Sequence, residues 1–344
     1  MNPYALLIFS ISLATGLMVT MSGHHWMFAW FGLEINALAI IPLMIKTPHP
    51  RAIEAATKYF LIQASASAIL LFACALNTWL TGEWAIPSTL QNAPTNFLTI
   101  ALMMKLGITP FHFWMPDVMQ GLTLTTGLIL STWMKLPPTI LLYQLNDNLN
   151  LNLLLITGLL STIVGGLGGI NQTQIRKILA FSSIAHLGWM IAVLKFSPQL
   201  ALLSFSVYVL MTSSLFFTLI SLNTKNFPKL ITAWTKSPAL TSLTLLTLLS
   251  LGGLPPLTGF LPKWLITQEI MEQHLAFIVT IMLLSSLLSL FFYLRLTYTL
   301  ILTMSPHTTF SLISWPLSPK LFTAALISLS ILLAPLLPLI SPIT

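Results

Sequence analysis

Six side chains in this sequence could hold or pass protons, and all of them lie where ionisable groups are costly. Glu34, Lys105, Lys135 and Lys263 fall well inside apolar runs, His112 shares the run of Lys105, and His186 sits in the middle of another. At a helical rise of about 1.5 Å per residue, Glu34 lies roughly 12 Å into its run and Lys135 roughly 15 Å. That is too deep for easy snorkelling, and a charge at the centre of a bilayer costs about 2.5–3.5 kcal/mol. Desolvation penalises an ammonium, so a buried lysine can exchange a proton that a lysine in water would keep. A carboxylate that approaches holds the proton in place, and one that withdraws lets it go. Glu34 with lysine partners therefore suits a proton switch that works by charge separation alone, with no metal, flavin or nucleotide. An ion pair that only locks helices together is the competing role, but one acid cannot neutralise three lysines. The histidines rank below them. His186 shares a face with Ser182 by i, i+4 spacing, and a neutral imidazole bonded to a hydroxyl or carbonyl serves a core as well as a relay.

The elements that must carry these groups are unusual. Lys105-Leu-Gly-Ile-Thr-Pro-Phe-His-Phe-Trp-Met-Pro116 interrupts an apolar run with Gly107 and Pro110, and Pro116 follows. Irregular backbone at membrane depth is tolerated only where protein or a water-filled cavity satisfies the freed amides and carbonyls. The pattern recurs. Gly107-Ile-Thr-Pro110 with Pro116 and Gly253-Leu-Pro-Pro256 with Pro262 share the spacing G-x-x-P-x5-P, each in a long segment that otherwise reads as helix. A lysine lies near each break, Lys105 and Lys263, although the two do not align within the motif.

The chain has 344 residues, 56% of them hydrophobic and 6% charged. A soluble domain carries roughly 25% charged residues, so this one cannot coat a water-facing globule. Apolar runs of about 20 residues recur throughout, each long enough to cross a bilayer as a helix. The expected fold is an all-α polytopic membrane protein of about eleven spans. They run about 3–21, 26–45, 54–80, 96–121 (broken), 125–144, 151–170, 178–194, 199–222, 239–272 (broken), 276–302 and 321–342. On that count the broken spans are the fourth and ninth, and an odd offset makes them enter the membrane from opposite sides, as in inverted repeats. The expected organisation is a five-helix repeat over 1–145, a second over 146–303, and a connecting loop with a last helix over 304–344.

Lys46, Arg51, Arg176, Lys177, Lys225, Lys229, Lys236 and Lys320 fall on one side of this scheme, and only Lys195 falls on the other, with Glu83, Asp147, Glu269 and Glu272. The positive-inside rule puts the first side, and the N-terminus, on the cytoplasm-like face, with the C-terminus opposite. The net charge of +7 thus speaks to topology; the basic residues are scattered singly, with no patch suited to nucleic acid. The start, MNPYALLIFS, carries no basic n-region or Arg-rich presequence and reads as the first membrane helix. Cys74 alone excludes an internal disulfide and a thiolate-rich cluster. No Walker loop, HExxH, CxxC or haem signature occurs, and Gly165-Gly-Leu-Gly-Gly169 follows an apolar helix rather than a strand, so it suits close helix packing better than a nucleotide. Glu54 and Lys58 read as a surface pair at the membrane edge, His24 and His25 as interfacial residues, and Arg295 as a snorkelling one.

Several of these stretches carry a resemblance. Asn2-Pro3, Trp30-Phe-Gly-Leu-Glu34-Ile-Asn36, Lys58-Tyr-Phe-Leu-Ile-Gln63, the Lys105–Pro116 break, Arg176-Lys-Ile-Leu-Ala-Phe-Ser-Ser-Ile-Ala-His186 and Gly252-Gly-Leu-Pro-Pro-Leu-Thr-Gly-Phe-Leu-Pro-Lys263 are similar to the antiporter-like membrane-arm subunits of mitochondrial respiratory complex I. The resemblance spans the chain, and the length suits a vertebrate version. It implies a proton-translocating subunit of the inner membrane with its basic face toward the matrix. It also implies Glu34 and Lys105 as an acid–lysine pair, Lys135 as a connecting lysine and Lys263 as a distal one. It implies neighbouring membrane-arm subunits and lipids as partners, and no cofactor in this chain, with NADH, FMN, iron–sulfur clusters and ubiquinone held by partner subunits. Larger relatives have three more N-terminal helices. A stand-alone cation/proton antiporter and a non-conducting structural subunit are the alternatives.

Overall fold

The computed structural model describes residues 3–86, 92–222, 224, 226–235, 238–302 and 328; the expected last helix at 321–342 lies outside them, apart from Ser328. Fourteen α-helices are found among the described residues. Six are long and apolar enough to cross a membrane: α1 (Pro3–Ser22), α2 (Trp26–Met44), α3 (Pro50–Thr81), α8 (Leu151–Ile170), α10 (Pro198–Leu222) and α14 (Ala276–Leu302). The chain divides into two compact units, Met1–Thr157 and Gly158–Thr344.

In the first unit α1 lies along α2 at a distance that only glycine permits. A Cβ at Gly16 would meet Asn36 Oδ1 at 2.5 Å, and one at Gly32 would meet the Gly16 carbonyl at 2.8 Å. Histidines start two of the helices: His25 Nδ1 accepts from the Met27 amide and His49 Nδ1 from the Arg51 amide, satisfying donors that a helix N-terminus leaves orphaned. His25 also stacks on Trp84 at 5.7 Å, so it anchors the loop after α3. Helix α3 packs against α2, α4 (Asn92–Leu106) and α5 (Trp114–Gly121).

The gap between α4 and α5 is the first break, and its spacing has a local cause. Gly107 adopts φ 75°, the left-handed conformation that closes a helix. Its amide donates to Met104 O, and the Ile108 amide reaches back to Met103 O, the paired bonds of a Schellman cap. Pro116 falls in the first turn of α5, where a missing N–H costs nothing. In the second unit the gap between α12 (Pro238–Gly252) and α13 (Phe260–Glu272) repeats this bond for bond. Gly253 has φ 83° and donates to Ser250 O, Leu254 donates to Leu249 O, and Pro262 falls in the first turn of α13. The inner turns match too, with Phe111 donating to Ile108 O and Leu257 to Leu254 O.

The segment expected as one helix over 125–144 is divided. Helix α6 (Leu124–Ser131) gives way to a 3-10 turn at Trp133–Lys135 before α7 (Leu136–Gln144). The cause is Pro137-Pro138: neither supplies an amide to the preceding turn, and each ring crowds the carbonyl four residues back. Both prolines are accommodated in the first turn of α7, and Lys135 is left at the joint. In the second unit the glycine cluster packs helices closely. A Cβ at Gly165 would meet the Ala185 amide of α9 (Ile175–Val193) at 2.7 Å, and one at Gly168 would strike the Phe181 ring.

Candidate proton-transfer site

In the first unit Lys105 occupies the last turn of α4, against the Gly107 cap. Its side chain is 3% exposed, and Nζ stands 3.8 Å from Glu34 Oε1 of α2. This is an ion pair without a hydrogen bond: Nζ and Oε1 are buried and make none. The backbone carbonyl of Lys105, freed because the helix ends there, accepts from Gln63 Nε2 of α3 at 3.4 Å. Lys105 borders a cavity of about 20 Å³, room for about one water molecule. Asn36, Tyr59, Gln63, Trp114 and Lys135 also line it. Lys135, only 3% exposed, is therefore brought to the same small chamber as Lys105 by the joint between α6 and α7. Neither Asn36 amide atom has a hydrogen-bond partner, nor does Trp114 Nε1. His112 is buried within the break with its ring 4.1 Å from that of Phe113, and it is not part of the cavity lining.

In the second unit Lys263 of α13 reaches back to the break that precedes its own helix. Its Nζ donates to Gly252 O at 3.1 Å, a carbonyl at the C-terminal end of α12. A crevice of about 310 Å³ with mainly apolar walls, among them Trp264, Leu284 and Leu287, adjoins it. Lys105 and Lys263 do not align in sequence, yet each serves the C-terminal end of the first half of a broken segment, where the helix dipole favours positive charge. His186 on α9 lies beside Tyr208 of α10, ring centroids 5.7 Å apart, while the Ser182 hydroxyl is spent on Leu179 O. Arg295 donates to Ile170 O at 2.9 Å, ending α8.

The neutral members of the first chamber, Asn36, Tyr59, Gln63 and Trp114, carry no charge to single them out in the sequence; the two amides inside apolar runs are the available signal. The expected surface pair of Glu54 and Lys58 forms, with Lys58 Nζ 2.8 Å from Glu54, and Asp117 of α5 joins it at 3.1 Å.

Broken helices with an ammonium at each break, one of them facing a carboxylate, define an ion-handling membrane protein. The chain belongs to the NADH:quinone oxidoreductase/Mrp antiporter transmembrane family, which it matches over residues 23–289. Residues 290–341 match the family described as the NADH dehydrogenase subunit 2 C-terminus. The chain is similar to NADH-ubiquinone oxidoreductase chain 2 of Aquarana catesbeiana, 55% identical over 340 residues and 98% of each chain. It is likewise similar to that of Squalus acanthias, 54% identical over 347 residues and the whole of both chains. Among solved structures it resembles a chain of respiratory complex I from Thermus thermophilus with bound aureothin, with a TM-score of 0.87 at 28% identity, covering 99% of this chain and 80% of that one. A chain of the Mrp complex from a Dietzia species shares the fold, with a TM-score of 0.76 at 17% identity over 84% of this chain and 59% of that one.

Proposed function

We propose that this chain is a core membrane-arm subunit of the proton-pumping NADH:ubiquinone oxidoreductase of the mitochondrial inner membrane. It translocates protons through buried lysine and glutamate groups, coupled to electron transfer in other subunits. The observation that carries this reading is the Glu34–Lys105 pair, 3.8 Å apart without a hydrogen bond, beside a cavity that Lys135 also lines. A pair of that kind can close or separate without breaking a directional bond. Glu34 and Lys105 form the switch, Lys135 takes the proton onward, and Lys263 serves the second repeat, with His112 and His186 in lesser roles.

The matching hydrogen bonds of the two breaks support eleven spans arranged as two inverted five-helix repeats, 1–145 and 146–303, with a last helix in 304–344. In that arrangement the N-terminus lies on the matrix side and the C-terminus on the intermembrane-space side. NADH, FMN, iron–sulfur clusters and ubiquinone are assigned to partner subunits, and lipid surrounds the apolar faces. Lys105→Met in the assembled complex tests the reading: NADH oxidation and assembly persist while protons moved per electron fall. An unchanged proton-to-electron ratio in an assembled Lys105→Met complex refutes it.

A further inference from the structure

In a sequence with only 6% charged residues, four charged side chains gather at the seam between α3 and α5. Arg51, Glu54, Lys58 and Asp117, with Gln120, line an open crevice of about 150 Å³. That is room for several water molecules, or for a small polar group in their place. Two cations and two carboxylates leave the crevice neutral overall, yet the charges are not all spent on one another. Lys58 Nζ bonds one oxygen of each acid, Glu54 Oε1 and Asp117 Oδ2, and the second oxygens make no bond. The Arg51 guanidinium and the Gln120 amide make no ion pair or hydrogen bond among the described residues.

The two helices run antiparallel here. Gly121 at the end of α5 meets Arg51 at the start of α3, and Asp117 meets Lys58 further in. The next exposed residues toward the break are apolar on both helices. On α3, Leu61 follows Glu54 and Lys58 at i+7 and i+3, on the same face, and is 65% exposed. On the other side, Phe113 precedes Asp117 by four residues, at the start of α5, and is 76% exposed. Each lies about one helical turn, roughly 5 Å, beyond the charges. A charged lip above exposed apolar side chains, repeated on two helices, matches an amphiphile better than a ligand soluble in water.

Stapling α3 to α5 does not account for the charges. Gly121 already seats α5 on α3, since a Cβ there would meet Arg51 O at 2.5 Å. The side chains of Glu54, Lys58 and Asp117 are 61%, 42% and 49% exposed, and ion pairs that open contribute little. What remains unspent is a guanidinium and an amide on one hand and two carboxylate oxygens on the other. A guanidinium binds phosphate through paired N–H donors, and a primary ammonium offers three donors to carboxylates. A trimethylammonium has no N–H and is recognised by aromatic faces, and the crevice lining holds no aromatic ring. An anionic headgroup calls for a net basic cluster, and here Glu54 and Asp117 would repel it.

We propose that the α3–α5 crevice is a binding site for the headgroup of phosphatidylethanolamine. Arg51 and Gln120 hold its phosphate, the free oxygens of Glu54 and Asp117 hold its ammonium, and its acyl chains lie along Leu61 and Phe113. The site stands whether or not Lys105 transfers protons. To test it, the assembled complex is placed in phosphatidylcholine nanodiscs holding about 1% of a phosphatidylethanolamine with a photoactivatable diazirine on an acyl chain, and crosslinks are located by mass spectrometry. Crosslinks are expected at Leu61 and Phe113, and also at exposed Ile8 of α1, an ordinary lipid-facing position. Half of the host lipid is then replaced by unlabelled phosphatidylethanolamine. A tenfold preference, the scale of one charge-assisted hydrogen bond, predicts a fall of about fivefold at Leu61 and Phe113 and none at Ile8. Phosphatidylglycerol in the same proportion should lower neither. Glu54→Gln with Asp117→Asn, and separately Arg51→Gln, should abolish the preference; where these variants do not assemble, lipid exchange on the parent complex decides. The site is refuted by a lack of crosslinks at Leu61 and Phe113, by a response there equal to that at Ile8, by displacement with phosphatidylglycerol, or by a preference that survives in the variants.

Discussion

The Glu34–Lys105 pair offers a charge cycle that separates holding a fold from moving a proton. At 3.8 Å and an effective dielectric of about 20, the Coulomb attraction is about 4 kcal/mol. Glu34→Gln removes it and leaves the Lys105 ammonium, 3% exposed, without its countercharge. Removing one member of a buried pair costs about 3–5 kcal/mol, and the 23% exposure of Glu34 places this case at the lower end. The complex carrying Glu34→Gln is thus expected to lose stability by about 3 kcal/mol, read as a shortened thermal-inactivation half-life. Glu34→Gln with Lys105→Met removes both charges and is expected to regain most of that stability, because replacing a whole buried pair is close to neutral. Pumping should not follow: the double variant, like Lys105→Met, should move fewer protons per electron than the parent. A double variant that recovers both stability and pumping shows the pair to be a lock. A Glu34→Gln complex as stable as the parent shows that the two charges do not sense each other.

Two further outcomes concern the breaks. Gly107→Ala should destabilise the first by about 1–2 kcal/mol, since φ 75° is costly for any residue with a Cβ and Trp114 stands 3.1 Å from where that Cβ would lie; urea or thermal inactivation of the complex measures it. Gly259→Ala should be far more severe and should prevent the subunit from accumulating in membranes, because the new Cβ would run into Ser250 O, a backbone atom; immunoblotting of the assembled complex checks this.

The breaks were legible in the sequence because glycine and proline act through the backbone, where their effects are local. Gly107 and Gly253 end helices through φ, and Pro116 and Pro262 mark where the next half begins, so the spacing alone carried the structure. Pro137-Pro138 carries the same kind of message, but the apolar run around it hides the joint that places Lys135, because apolar periodicity does not register a change from α-helix to a 3-10 turn. The relation between Lys105 and Lys263 was hidden because it is not one of register: one lysine ends α4 and the other returns from α13 to α12. Glu54–Lys58 was visible as an i, i+4 pair, but Asp117 joins it only through the packing of α5 on α3. The contact between the Tyr59 and Trp114 rings is not readable either, since single aromatic residues do not stand out in a sequence that is 10% aromatic.

The bond from Lys263 to Gly252 O makes a proton and a helix end parts of one latch. With the ammonium in place, α12 has a full positive charge against its negative pole, an interaction of about 0.3–1 kcal/mol. That energy biases a two-position equilibrium roughly two- to five-fold, since 1.4 kcal/mol corresponds to tenfold. It is too little to drive a large rearrangement but enough to inform one. The hold of Lys263 on the end of α12 is thus stronger with the ammonium present than without it, by no more than that amount.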